Sequence, residues 1–178
     1  MIPLVALAIG APIMGAAPPA LAVTCASWQT LDTLTNGNDN VAYFGGDWCV
    51  YALDGNDTVS LSDATTSNRL FAGKGADVID GGSGFDQIQG NLGGDTLRGH
   101  GGHDELVGGG NDDTLRGQDG DDLIIDGPGL DVMTGGAGND TLYECRDPNG
   151  DWQHQDITDF EHVDLSAANC DLAPFGTG

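Results

Sequence analysis

Residues 72–143 read AGKGADVID, GGSGFDQIQ, GNLGGDTLR, GHGGHDELV, GGGNDDTLR, GQDGDDLII, DGPGLDVMT and GGAGNDTLY, eight nonapeptides in unbroken succession. The sixth place is always aspartate, at Asp77, Asp86, Asp95, Asp104, Asp113, Asp122, Asp131 and Asp140. The fourth place is glycine at Gly75, Gly84, Gly93, Gly102, Gly120, Gly129 and Gly138, and asparagine at Asn111. The eighth is always Ile, Leu or Met. Three constraints held at one period exclude chance. They also exclude simple acidity, because only Glu105, Glu144 and Glu161 among the 28 acidic residues are glutamate. The frame selects the shorter carboxylate, which stays close to its own backbone in a tight turn.

The pattern weakens on either side of this stretch. Upstream lie two imperfect copies, NGNDNVA around Asp39 and DGNDTVS around Asp57, eighteen residues or two units apart. The segment LSDATTSNRLF then carries two extra residues before Asp77, which predicts a bulged or looped-out coil. Before the copies, VTCASWQTLDTLT predicts a capping strand. The chain therefore divides into a signal segment 1–22, a capping segment 23–35, degenerate repeats 36–71, the regular array 72–143 and a tail 144–178. Residues 1–22 carry no charge and end in Ala20-Leu21-Ala22, which reads as a secretory signal cleaved before Val23. Pro12, Pro18 and Pro19 interrupt the hydrophobicity that a spanning helix needs, so no membrane span is expected in the mature form.

Elementary stereochemistry reads one unit. Glycine at places one, two and four permits positive φ, and asparagine is the best substitute, so the first six residues predict a loop. The last three, an apolar residue between mostly polar ones, predict a very short strand with one side chain inward. Each nonapeptide then makes half a coil.

The frame GGxGxDxUx resembles the RTX (hemolysin-type) calcium-binding nonapeptide repeat, closely over 72–143 and loosely from 36. The tail DITDFEHVDLS, residues 156–166, is similar to the segment that often closes such arrays. The resemblance implies an all-β fold, a right-handed parallel β-roll (a β-solenoid) with two nonapeptides per coil and Ca²⁺ held between successive loops. The metal-binding residues implied are the eight aspartates of the array, with weaker contributions from Asp39 and Asp57. The loop backbone at Gly75, Gly84, Gly93, Gly102, Asn111, Gly120, Gly129 and Gly138 would complete the sites, for several ions, about eight. On this reading Asp77, Asp95, Asp113 and Asp131 form one column and Asp86, Asp104, Asp122 and Asp140 the other. Ile79, Leu97, Leu115 and Met133 then face Ile88, Leu106, Ile124 and Leu142 across a narrow core.

Ligand chemistry points the same way. Carboxylate and carbonyl oxygens without rigid octahedral order suit Ca²⁺ better than Mg²⁺, and the loops offer no sulfur to soft metals. The spacing of an EF-hand is missing. His100 and His103 share one loop and are read as solvent-facing fillers of variable places.

With 39% hydrophobic residues and a net charge of -23, the chain has material for only a thin core and repels nucleic acid and anionic membranes alike. Multivalent cations are the natural partner. Cys25 and Cys49 precede the array and Cys145 and Cys170 follow it, a count that suits an oxidising compartment and two disulfides. Of three connectivities, proximity favours Cys25 with Cys49 and Cys145 with Cys170; a buried Cys49 thiol is the alternative. No zinc spacing is present.

For function, H-E-x-x-H, G-x-S-x-G and phosphate loops are all missing, so no enzyme is expected. The leading reading is a secreted, extracellular calcium-binding protein that folds on meeting Ca²⁺. The alternative is an adhesion or interaction module in which calcium is purely structural. Its surface would be the outer face carrying Val107, Leu123, Ile125, Thr141 and Tyr143, a patch for a protein partner or self-association. The tail around Trp152 and Phe160, or the N-terminal segment, could instead cover that patch. Thr96, Arg98, Thr114 and Arg116 make the opposite face polar.

Overall fold

The computed structural model describes residues 30–61 and 66–144, together with strands at 154–158 and 162–163. The signal segment, Cys25, Cys145, Cys170, Trp152 and Phe160 lie outside the described residues. The strands are β1 (Thr30–Thr33), β2 (Asn40–Ala42), β3 (Trp48–Tyr51), β4 (Thr58–Ser60), β5 (Asn68–Lys74), β6 (Val78–Gly82), β7 (Asp86–Leu92) and β8 (Thr96–Gly101). They continue as β9 (Glu105–Gly110), β10 (Thr114–Asp119), β11 (Leu123–Ile125), β12 (Asp131–Ala137), β13 (Thr141–Tyr143), β14 (His154–Thr158) and β15 (His162–Val163). No helix occurs among the described residues.

Odd-numbered strands form one eight-stranded sheet in chain order, and even-numbered strands form a seven-stranded one. Every neighbouring pair is parallel. The chain thus crosses from sheet to sheet at each turn and stacks coil on coil as a β-solenoid. The expected fold class is what the chain adopts.

Place eight of every unit points between the sheets. Ile79, Leu97, Leu115 and Met133 share one register row, and Ile88, Leu106, Ile124 and Leu142 share the facing one. All eight are at most 2% exposed, and Val59, Val50 and Leu70 extend the rows towards the N-terminus. Each row repeats one aliphatic side chain per strand spacing, so a core one residue wide on each sheet is built from a very short motif.

Three features add detail to the expectation. The strands are longer than three residues in most coils: β7 and β12 run for seven and β8, β9 and β10 for six, so pairing resumes at places two and three of the next unit. β2, β4, β11 and β13 keep the minimal length among the strands that follow a repeat aspartate. Secondly, the two extra residues are absorbed locally. Partners are eighteen apart from β2 to β4 and from β5 to β7, but twenty apart from β3 to β5 and from β4 to β6, which places the insertion between Ser60 and Asn68. Thirdly, the described part of the tail extends both sheets edge-on, with β14 beside β12 and β15 beside β13, in rows that set Ile157 opposite Met133 and Val163 opposite Leu142.

At the other end, β1 occupies part of the stretch expected to cap the array. Asp32 takes the inward place beside Val50. The Tyr43 hydroxyl donates to its carboxylate at 2.7 Å, and the Tyr43 and Trp48 rings lie 4.6 Å apart. A polar pair closes the core where the aliphatic row stops.

Candidate metal centre

Each array aspartate sits in the residue just before, or at the start of, a strand, where the turn delivers its side chain inside the loop rather than to solvent. All eight are buried, none more than 4% exposed. One carboxylate oxygen is spoken for. The backbone N–H of each aspartate donates to Oδ1 of the aspartate one coil later, at 2.7–2.9 Å, from Asp57 through Asp77, Asp95 and Asp113 to Asp131. The second column runs likewise from Asp86 through Asp104 and Asp122 to Asp140. These ladders fix the side-chain rotamer and so the direction of the other oxygen.

That other oxygen accepts nothing. Oδ2 of Asp57, Asp77, Asp86, Asp95, Asp104, Asp113, Asp122 and Asp131 is buried without a hydrogen-bond partner. A buried carboxylate oxygen left unpaired costs several kcal/mol on the order-of-magnitude scale, unless the group is neutralised or meets a cation. Burial accordingly raises these groups above the ordinary carboxylate range: Asp113 to about 8, Asp86 and Asp104 to about 7, and Asp95, Asp122 and Asp131 to about 6. Desolvation is the largest cause throughout; ladder hydrogen bonds pull the other way, and like charge from neighbouring coils adds to the rise at Asp104 and Asp113.

The glycines explain how the carboxylates fit. A Cβ on Gly117 would lie 2.1 Å from Asp122 Oδ2 and 2.7 Å from the Gly135 carbonyl oxygen; on Gly90 it would lie 2.4 Å from both Asp95 Oδ2 and the Gly108 oxygen. Place one is therefore glycine because a carboxylate and a carbonyl converge beside it. Its φ is not positive, contrary to the sequence expectation. Places two and four do take the left-handed region, including Asn111 at φ 83°, and place two tolerates Asn91, His100 and Gln118 there as well. Gly84 and Gly129 stand outside that region, but carbonyls of Thr66 and Asn111 would lie 2.3 and 2.2 Å from an added Cβ.

The donors beside each aspartate are thus one orphaned carboxylate oxygen and backbone carbonyls, repeated coil by coil. Among the described residues no three His, Cys, Asp or Glu side chains gather into a metal cluster. An all-oxygen set rich in carbonyls, with one such carboxylate per nonapeptide, fits a hard cation of flexible coordination and nothing softer.

Several residues behave differently from their sequence reading. Asp57 belongs to the orphaned set, whereas Asp39 is half-buried and its Oδ2 already accepts from the Thr35 N–H and hydroxyl, both at 2.8 Å. Asp140 keeps its ladder contact at the end of its column. His100 is half-buried rather than solvent-facing, with its ring nitrogen 3.3 Å from Asp80 Oδ1, whereas His103 is exposed as expected and its Nδ1 also accepts the Asp121 N–H at 3.0 Å.

Other members lie outside the aspartate frame. Asn68 continues the Asp86 column upward; its Nδ2 donates to Asp86 Oδ1 at 2.8 Å and its N–H to the same oxygen at 2.9 Å. Leu70 two residues later and Asp86 eighteen later were the available signal. Asp126 and Glu144, each 2% exposed, take place one where glycine is the rule, and only the burial reveals them. The patch residues Val107, Ile125 and Tyr143 do stack in one outward row, each half-buried.

Compared with known families, residues 65–88, 80–115 and 107–142 match the model of the RTX calcium-binding nonapeptide repeat (four copies). No curated protein and no solved structure matches the chain.

Proposed function

We propose, from the premise that residues 65–142 of this chain belong to the RTX calcium-binding nonapeptide repeats, that the protein is a secreted Ca²⁺-binding β-roll whose folding depends on its ions. The observation that carries the reading is the set of eight buried Oδ2 atoms with no hydrogen-bond partner, in two columns that each gain one per coil. Asp77, Asp86, Asp95, Asp104, Asp113, Asp122, Asp131 and Asp140 would supply the carboxylate oxygens, with Asp57 alongside them. The backbone at Gly75, Gly84, Gly93, Gly102, Asn111, Gly120, Gly129 and Gly138 would supply turn geometry and carbonyls. Asp39, satisfied within its own turn, is the weakest candidate. About eight divalent ions would offset about 16 of the negative charges, turning repulsion within each column into shared ligation.

Dependence on calcium follows from the same atoms. A column of stacked, desolvated carboxylates opposes folding, and binding to the folded chain alone is folding energy. Extracellular calcium modules work at about 10⁻⁴ to 10⁻³ M, so such a chain stays unfolded where calcium is micromolar. Calcium titration followed by circular dichroism tests this directly: β signal should be lost on thorough chelation and return on titration. A spectrum unchanged by chelation would overturn the reading.

Export through the 1–22 segment, and an oxidising destination for the cysteines, belong to the same proposal. Cys49 is wholly buried and is not a free thiol, which supports disulfide pairing. N-terminal sequencing of the exported form checks cleavage before Val23. The divisions at 22, 35, 71 and 143 are proposed with it. Catalysis is not part of this reading, since the buried aspartates are committed to ladders and turns.

The stacked outward row of Val107, Ile125 and Tyr143, with Leu123 paired to Thr141 beside it, favours a second reading in which this face also meets a protein partner or a second copy. Changing Leu123 and Ile125 to Thr should then abolish association while leaving calcium-induced folding intact; loss of folding would instead assign the face to internal packing.

A further inference from the structure

Asn68 stands at place six of its turn, paired with Asp86 in the next coil, and it is buried. Its Oδ1 accepts the Trp48 N–H at 3.0 Å, the ladder contact that each array aspartate makes with its own Oδ1. Nδ2 then takes the place that the unpartnered Oδ2 takes in the aspartates, and here both amide hydrogens are used. They go to the Thr66 carbonyl at 3.0 Å and to Asp86 Oδ1 at 2.8 Å. A backbone N–H at one end of the amide, and a carbonyl with a carboxylate at the other, admit only one orientation of the group. The loop therefore supplies acceptors at this point: an acceptor placed there is orphaned, and a donor placed there finds two partners.

We propose that Asn68 is a cap, a neutral amide standing where its column would otherwise take one more cation, so that the ions of this column begin at Asp86. An amide brings its own hydrogens and no charge. It joins one coil to the next without calcium and leaves no net charge to attract it. Burial opposes the charge of Asp86, and the two hydrogen bonds from Asn68 favour it, the service that an ion would otherwise perform at that junction.

The other column ends in kind. Its first aspartate, Asp39, donates its N–H to Asp57 Oδ1 at 2.7 Å, while its own Oδ2 accepts both the N–H and the hydroxyl of Thr35. Protein donors thus meet the first place-six side chain of each column, and unpartnered oxygens begin one coil later, at Asp57 and Asp86. The eight then divide unequally: five lie in the column from Asp57 to Asp131 and three in that from Asp86 to Asp122. Asn68 marks the boundary of the shorter one.

The cap rests on the calcium reading above, and its test separates the two. Calcium bound per full chain is counted by native mass spectrometry. Asn68→Asp, which restores the residue of the frame and removes the donor, should carry one ion more than the parent, and Asn68→Ala should carry the same number as the parent. An unchanged count in Asn68→Asp overturns the cap; so does a count one lower in Asn68→Ala, which would make Asn68 itself a ligand. Crystals of the calcium-loaded parent read the same junction without a substitution, should either variant fail to fold. No anomalous calcium peak should lie within about 2.6 Å of the Thr66 carbonyl oxygen or Asn68 Oδ1, and a peak there overturns the proposal. A parent that binds no calcium strikes the calcium reading and the cap with it, whereas a calcium-loaded parent with such a peak, or with the wrong variant counts, strikes the cap alone.

Discussion

An aspartate that accepts an amide hydrogen bond on Oδ1 and nothing on Oδ2 is held between two demands. The ladder wants its geometry, and burial resists its charge. Acid and calcium are two ways of resolving the conflict, and they act with opposite pH dependence. A carboxyl whose folded value lies above its usual 3.8 stabilises the metal-free fold while protonated; that contribution is complete below about pH 4 and is lost as pH rises through the values of about 6 to about 8 at Asp95 and Asp113. In chelator, β signal should therefore be greater at pH 5 than at pH 8. The opposite trend in circular dichroism would show that the carboxylates are not desolvated as described.

Glycine separates into two roles at the same scale. At Gly120, φ is +138° and an added Cβ would lie 1.4 Å from the Gly102 carbonyl oxygen, backbone that cannot step aside. At Gly101 the nearest atom is 3.9 Å away. Gly120→Ala should cost on the order of 3 kcal/mol and raise the calcium midpoint sharply, whereas Gly101→Ala should leave the titration within error. The aspartate period made the ladders' positions legible in the sequence. It could not reveal the reason for place one, because a carboxylate approaching a glycine of its own unit leaves the same trace as a turn glycine.

Among the elements, strand identity was legible and strand length was not. The single aliphatic at place eight marks the inward direction, but pairing at places two and three depends on the neighbouring coil, which no single unit encodes. Leu115, between Leu97 and Met133 in its row, is wholly buried. Leu115→Ala should destabilise the calcium-bound fold by about 2 to 5 kcal/mol, measured by denaturant melting at fixed calcium. The edge element β1 depends on a different contact. Burial, and then the hydrogen bond and charge of Asp32, hold the Tyr43 hydroxyl above its usual range, so it stays a donor at any physiological pH. Tyr43→Phe removes the partner of an inward carboxylate and should cost about 1 to 3 kcal/mol, with fraying confined to β1 and β3 in hydrogen exchange.

For the whole molecule, a net charge of -23 on a core one residue wide per sheet means that, on the function proposed above, the cation would be part of the architecture. Chelation should expand the chain as well as unfold it, because unscreened columns repel along their length. Gel filtration in chelator should show a clear increase in hydrodynamic radius, partly reversed by high salt; an unchanged elution volume would mean that the ions are not structural. Asp104→Asn offers a graded version of the same experiment. It keeps an oxygen for the Asp86 N–H and loses the charge, as Asn68 does naturally, so calcium should bind several-fold more weakly while the sheets persist.

The loops also carry a second set of contacts that runs the other way along the axis. Asp121 Oδ1 accepts from Asn139, Asp112 Oδ1 from Leu130 and Asn56 Oδ1 from Ala76, each reaching forward, while every ladder aspartate reaches back. A coil that carries one of these side chains beside its ladder aspartates is therefore clasped to both neighbours. Such a chain can be edited like a string of interchangeable cassettes: a duplicated 99–116 should splice into the array, lengthen it by one coil and raise its calcium capacity, whereas a copy one residue longer or shorter should not.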